Sequence, residues 1–118
     1  MTEATLLRFT INALKASGLL WWRVSNGASL YSKGKKTFFR KSPIAGFPDL
    51  AGLTPDGQFW AMELKTAKGT VRPDQERWIK NIKKSNGIAE VIRSPSDALK
   101  FIYTIEGKIK APTILSEP

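Results

Sequence analysis

Gly46-Phe47-Pro48-Asp49-Leu50-Ala51-Gly52-Leu53, then Pro55-Asp56-Gly57, then Gln58-Phe59-Trp60-Ala61-Met62-Glu63-Leu64-Lys65, reads as a strand, a tight turn and a second strand. Side chains alternate faces along a strand, so Glu63 and Lys65 point the same way while Leu64 points into the core and leaves its carbonyl oxygen at the polar edge. The hairpin brings Asp49 alongside. Two carboxylates, one backbone carbonyl and water form an all-oxygen nest of the kind that accepts Mg²⁺ or Mn²⁺, with substrate phosphate completing the shell. Lys65 can orient or deprotonate an attacking water there.

A Glu-x-Lys triplet alone carries little information, and the chain contains a decoy in Glu106-Gly107-Lys108, which has a glycine at its centre and no Pro-Asp strand before it. The Asp49 to Lys65 stretch differs because independent features agree on it. Pro-Asp opens an apolar strand, Asp-Gly marks the turn, and Glu-x-Lys stands where an aromatic-rich strand ends. The competing reading is an exposed ion pair on a hairpin, a common arrangement worth little energetically.

Composition narrows the chemistry. The 118 residues include no cysteine and no histidine. Zinc sites, disulfides, thiol nucleophiles, catalytic triads and histidine bases are thereby excluded, which leaves carboxylates, lysines and a hard metal. The length suits a single domain able to bury roughly two-thirds of its unfolded surface. Thr2-Glu3 puts an acid where a secretion signal would be basic, and no apolar run approaches the length of a bilayer, so a cytoplasmic, non-secreted protein without membrane contact is expected. The formal charge of +9 predicts attraction to polyanions, nucleic acid first. Lysines that serve only solubility are the alternative. Lys33, Lys35, Lys36, Arg40 and Lys41 crowd into one stretch with Tyr31, Phe38 and Phe39 among them, a mixture of charge and rings suited to tracking a nucleic-acid backbone.

Along the chain, Thr2 can cap a helix from Glu3 whose Leu7, Ile11 and Leu14 recur at helical spacing and which Ser17-Gly18 ends. Leu19 to Ser25 reads as a strand with Arg23 breaking one face, closed by Asn26-Gly27. The basic stretch from Ala28 to Phe47 reads as a loop or irregular hairpin. Pro73 suits the first turn of a helix whose buried face is Trp78, Ile79 and Ile82 and which ends at Asn86-Gly87. Ile88 to Ile92 is a short buried strand reached through that helix, so it should lie parallel to the Glu63 strand. Ser94-Pro95-Ser96 starts a last helix through Tyr103, and the residues after Gly107 form a polar tail. The order is helix, three strands, helix, strand, helix: an α/β protein with a central mixed sheet flanked by helices.

Over about residues 3–103 the chain resembles the PD-(D/E)XK nuclease superfamily, and within it the VRR-NUC (virus-type replication-repair nuclease) domain, whose standalone members are small phage and bacterial proteins. The resemblance rests on Pro48-Asp49, Glu63-Leu64-Lys65, Gly69, Gln75 with Trp78, and Val91-Ile92-Arg93-Ser94, which carries isoleucine where a first arginine is expected. It implies a restriction-endonuclease-like αβββαβ core. It further implies that Asp49, Glu63 and the Leu64 carbonyl ligate Mg²⁺ or Mn²⁺, that Lys65 acts on the nucleophilic water, and that Gln75 supports the site from its helix. Glu3 matches an acidic position that would reach the metal through water, although an acid also simply favours a helix amino end. The implied activity is hydrolysis of phosphodiesters in branched DNA such as four-way (Holliday) junctions by a homodimer acting in the cytoplasm of a bacterium or phage-infected host. Two readings compete with it: a nucleic-acid-binding domain with an inert acidic site, and a subunit of a phage replication or recombination complex.

Overall fold

The computed structural model describes residues 1–24, 29–40 and 43–107. The elements are α1 (Glu3–Ser17), β1 (Leu20–Arg23), β2 (Ser29–Lys33), β3 (Lys36–Arg40), β4 (Leu50–Leu53), β5 (Phe59–Leu64), α2 (Pro73–Lys84), β6 (Ile88–Ile92) and α3 (Pro95–Ile105). β1, β4, β5 and β6 lie side by side in that order; β1–β4 and β4–β5 pair antiparallel, and β6 runs parallel to β5. This is the expected mixed sheet with helices on both faces. The expected turn between β4 and β5 spans Thr54 to Gln58, closed by the Thr54 N–H on the Gln58 carbonyl at 2.8 Å, with Gly57 at φ 89°.

Strand alternation separates two layers. Leu50, Trp60, Met62, Leu64 and Ile92 turn toward α1 and α3, where they meet Leu6, Leu14, Phe101 and Ile102. On the other face Ala51, Ala61 and Ala89 are register partners across three strands, and this row of small side chains seats α2 through Ile79 and Ile82. Trp60 is the largest fully buried side chain. Its indole N–H is buried without a partner among the described residues. That omission costs about 1–3 kcal/mol, less than the roughly 4–6 kcal/mol gained by burying an aromatic side chain of 150–250 Å² at about 25 cal/mol per Å².

The room for that ring comes from Gly52, its register partner on β4. A Cβ there would overlap the Leu20 carbonyl oxygen and approach Trp60 ring carbons at 2.5 and 2.7 Å. Gly52→Ala should therefore destabilise the protein by about 1–3 kcal/mol, the usual effect of overfilling a packed core, read as a lower urea midpoint. An unchanged midpoint would mean that the sheet yields easily at this crossing.

Several local expectations are corrected. In α1 the fully buried positions are Leu6, Thr10 and Leu14, with Leu7 and Ile11 only partly buried against the same core. Thr10 is admitted because its hydroxyl donates to the Leu6 carbonyl at 2.8 Å, so no polar group is stranded. Trp78 is half-buried rather than core: its indole N–H donates to the Ala45 carbonyl at 3.1 Å and its ring packs edge-on against Phe47 at 4.8 Å, which anchors the turn before β4 to α2. The basic stretch contains a regular hairpin, β2 paired antiparallel with β3 in a sheet of its own. β1 is shorter than the expected strand, α3 runs past Tyr103 to Ile105, and the expected Asn26-Gly27 turn and C-terminal tail lie outside the described residues.

Candidate active site

Asp49 follows the fully buried Pro48 and directly precedes β4. The register pairs Leu50 with Met62, and one more step along both strands sets Asp49 across from Glu63. Since Met62 and Leu64 turn toward α1 and α3, Glu63 turns the other way. Gln75, on the first turn of α2, meets it there: its Nε2 donates to Glu63 Oε2 at 3.0 Å, while its Oε1 accepts the Arg72 N–H at 2.9 Å. One amide thus caps the helix and fixes the acid. The Lys65 ammonium stands 3.8 Å from the same Glu63 oxygen, on a side chain only 11% exposed.

Asp49 is anchored differently. Its Oδ2 accepts the Leu64 N–H at 2.8 Å, so the carboxylate of one strand is fixed to the main chain of the next. On its other side Asp49 lines a cleft of about 250 Å³ with Glu3, Ala4, Leu7, Arg23 and Leu64. The structure therefore brings together Asp49, Glu63, Lys65 and Gln75, and it places Glu3 at the mouth of the same site.

The electrostatics are those of two acids forced together. Burial first, and then the neighbouring Asp49 charge, push the Glu63 carboxyl up to about 8 against the opposing pull of Lys65. Asp49 is also raised, by burial first, with the Leu64 N–H and the charges of Lys65 and Arg23 offsetting part of the rise. Glu63 Oε1 is buried, and no donor among the described residues reaches it. A desolvated carboxylate oxygen left bare beside a second carboxyl is what a bound cation would satisfy, so the residues present fit a hard divalent metal. Among the described residues no three acids, histidines or cysteines are gathered tightly enough to hold an ion unaided. Two carboxylates, the Leu64 carbonyl, water and a substrate phosphate suit Mg²⁺ or Mn²⁺, which are ordinarily held by few protein ligands.

A pH dependence follows. Glu63 is raised from 4.5 to about 8 in the folded protein, so between those values the native state retains a proton that the unfolded chain has released. Stability of the metal-free protein should fall as pH rises through that window, by at most about 1.4 kcal/mol per unit. Glu63→Gln should flatten the fall and melt higher than the parent at pH 8. Parallel melting curves for the two proteins from pH 5 to 8 would contradict this.

Arg93 has a structural task. Its Nη1 donates to the Thr66 and Gly69 carbonyls, each at 2.8 Å, and its backbone N–H donates to Asp97. It thereby ties down the loop that leaves β5 just after Lys65, and the resemblance motif around Gly69 lies in that loop. Sequence reading had no signal for this, because backbone carbonyl acceptors leave no trace in residue types. Lys33, Lys35 and Lys36 are exposed at the tip of the β2–β3 hairpin. Arg40 ends β3 with its side chain outside the description, and Lys41 lies outside the described residues. Arg23 had a legible signal, a charge in an otherwise apolar strand, but only the strand pairing brings it to Asp49.

A four-stranded mixed sheet between helices, with two acids and a lysine meeting at one end of its central strands, defines a restriction-endonuclease-like core. Residues 2–96 match the VRR-NUC domain family, and the chain belongs to it. The family is a nuclease-type domain family, for which DNA is the implied substrate. No curated protein and no solved structure matches the chain significantly. Among the described residues no helix is long and apolar enough to cross a membrane.

Proposed function

We propose that the protein is a metal-dependent, structure-selective DNA endonuclease that hydrolyses phosphodiester bonds in branched DNA such as four-way junctions. The observation that carries this reading is the buried Glu63 Oε1 beside Asp49, reached by no donor among the described residues, with Lys65 on the opposite oxygen. Asp49, Glu63 and the Leu64 carbonyl would hold Mg²⁺ or Mn²⁺. When bound, the ion supplies charge that offsets the developing negative charge on the phosphate and eases ionisation of water.

The chain's own groups do the rest. Gln75 keeps the Glu63 carboxylate turned toward Asp49, and the Leu64 N–H does the same for Asp49. Lys65 stands beside the acids, 3.8 Å from Glu63 Oε2, where it would orient the attacking water and assist its deprotonation or stabilise the pentacoordinate state. The water oxygen bonds to phosphorus as one ester oxygen leaves. The products are a phosphomonoester end and a hydroxyl end, with the water's protons passing to the leaving oxygen and to solvent. A two-fold homodimer suits such a substrate because a junction offers two symmetric cut points.

The hairpin lysines would follow the DNA backbone. Replacing Lys35, Lys36 and Arg40 together should weaken binding and flatten its salt dependence by up to about 0.9 in log–log slope for each phosphate no longer neutralised. An identical slope would make the hairpin a bystander. The test of the whole reading is incubation of the protein with linear duplex, flap and four-way junction DNA, each with Mg²⁺, Mn²⁺ or EDTA. Metal-dependent cutting that favours the junction is expected. Retardation of DNA without cutting in any metal would leave a binding domain with an inert acidic site.

A further inference from the structure

We propose that Arg23 is the phosphate-binding residue of this site, donating from its guanidinium to the non-bridging oxygens of the DNA phosphate that enters the cleft beside Asp49. The inference rests on the nuclease reading for the identity of the phosphate, and on geometry for the residue.

Arg23 ends β1, the strand paired with β4, and its register partner is Leu50. The next residue, Val24, donates its N–H to the Asp49 carbonyl at 2.9 Å, so the end of β1 is hydrogen-bonded to the residue that carries the acid. Trp22 and Val24 face the α2 side of the sheet, and strand alternation therefore sends Arg23 to the opposite side, where it lines the cleft with Glu3, Asp49 and Leu64. Its charge reaches Asp49 and lowers that acid's affinity for protons. Among the described residues no hydrogen bond or ion pair within 4.0 Å occupies the guanidinium.

A cation so placed has two possible purposes, and they differ in sign. If Arg23 served to neutralise Asp49, it would form an ion pair with it, as Arg72 does with Asp74 at 3.2 Å. It makes no such pair. Left with its donors free, it also repels any divalent ion that the acids attract, and in the DNA-free protein it does no more for Asp49 than lower its affinity for protons from a distance. Its use comes when a phosphate arrives, because a planar fork of donors matches two phosphate oxygens and carries charge that grows in value as the phosphorus becomes pentacoordinate. The open cleft lies at the side of Asp49 away from the buried Glu63, so a phosphate entering there has the acids on one side and Arg23 on the other.

The test compares the parent with Arg23→Gln and Arg23→Lys in three measurements. Cleavage of a four-way junction in Mn²⁺ should fall about 10²- to 10³-fold in Arg23→Gln, the usual loss on removing one donor to a developing oxyanion. Arg23→Lys should recover only part, since an ammonium lacks the fork. Mn²⁺ affinity of the DNA-free protein, by titration calorimetry, should be unchanged or higher in Arg23→Gln. In EDTA, the log–log salt slope for duplex binding should fall by about 0.9, one phosphate contact. Cleavage within threefold of the parent overturns the proposal. So does a loss of cleavage matched by weaker Mn²⁺ binding, which would make Arg23 a prop for the acids. A parent that neither cuts nor binds Mn²⁺ removes the nuclease reading instead, and the slope in EDTA then decides on Arg23 alone: an unchanged slope overturns it.

Discussion

Asp49→Asn should lose junction cleavage by roughly 10³-fold or more, since a metal's contribution of several kcal/mol converts at tenfold per 1.4 kcal/mol. The substitution is chosen to spare the fold. Asparagine retains a side-chain carbonyl that can accept the Leu64 N–H, the main-chain hydrogen bond that ties Asp49 to β5. What it removes is charge. Glu63 then loses the neighbour that raises its pKa, and the bare Oε1 faces a neutral amide. The metal-free variant should melt no lower than the parent, because two desolvated acids become one, while Mn²⁺ binding measured by calorimetry weakens strongly. A variant that cuts at the parent's rate would take Asp49 out of the chemistry; one that unfolds would show the carboxylate to be a structural brace.

Lys65→Ala should lower cleavage by about 10²- to 10⁴-fold, the range for a positioned acid or base, while junction binding persists. The surroundings argue for a task beyond ion pairing. An exposed lysine 3.8 Å from a carboxylate would be worth little, but this one is 11% exposed and points at the oxygen already held by Gln75. Holding a long cationic side chain in a nearly closed site costs conformational entropy, and a surface pair would not offset it. A second signature separates chemistry from scaffolding. Lys65 pulls both Asp49 and Glu63 toward ionisation, so the residual activity of Lys65→Ala should have its acidic limb moved to higher pH. Full activity in the variant would remove lysine from the mechanism.

Much of this architecture is legible in the residues because the physics is local there. Period-two alternation in Phe59 to Leu64, the Pro55-Asp56-Gly57 turn and the helix that must lie between Lys65 and Ile88 dictate a hairpin and then a parallel strand, and those are what the protein has. The same alternation sets Asp49, Glu63 and Lys65 on one side. Features that depend on a distant partner were hidden. Thr10 lies outside the expected Leu7, Ile11 and Leu14 stripe, and its burial depends on how α1 packs on the core and on a hydroxyl that bonds within its own helix. Trp78 reads as core, yet its indole N–H needs the Ala45 carbonyl and draws it outward. The resemblance implies a supporting role for Gln75, but its hydrogen bond with the Arg72 N–H depends on where α2 begins. Arg23 and Arg93 each need a strand neighbour or a loop carbonyl that no spacing encodes.

The pairing of Leu50 with Met62 has a consequence for how such a protein fails. Slippage of β4 against β5 by a single position would swing Asp49 from Glu63 to a leucine or a methionine, and the same slip would turn the large side chains of the strand toward α2, where the alanine row now leaves room for the helix. Damage to the reaction centre through misalignment thus arrives together with a core that no longer closes, which lowers the stability of the misaligned chain. A population of intact molecules is in this way also a population of correctly set ones.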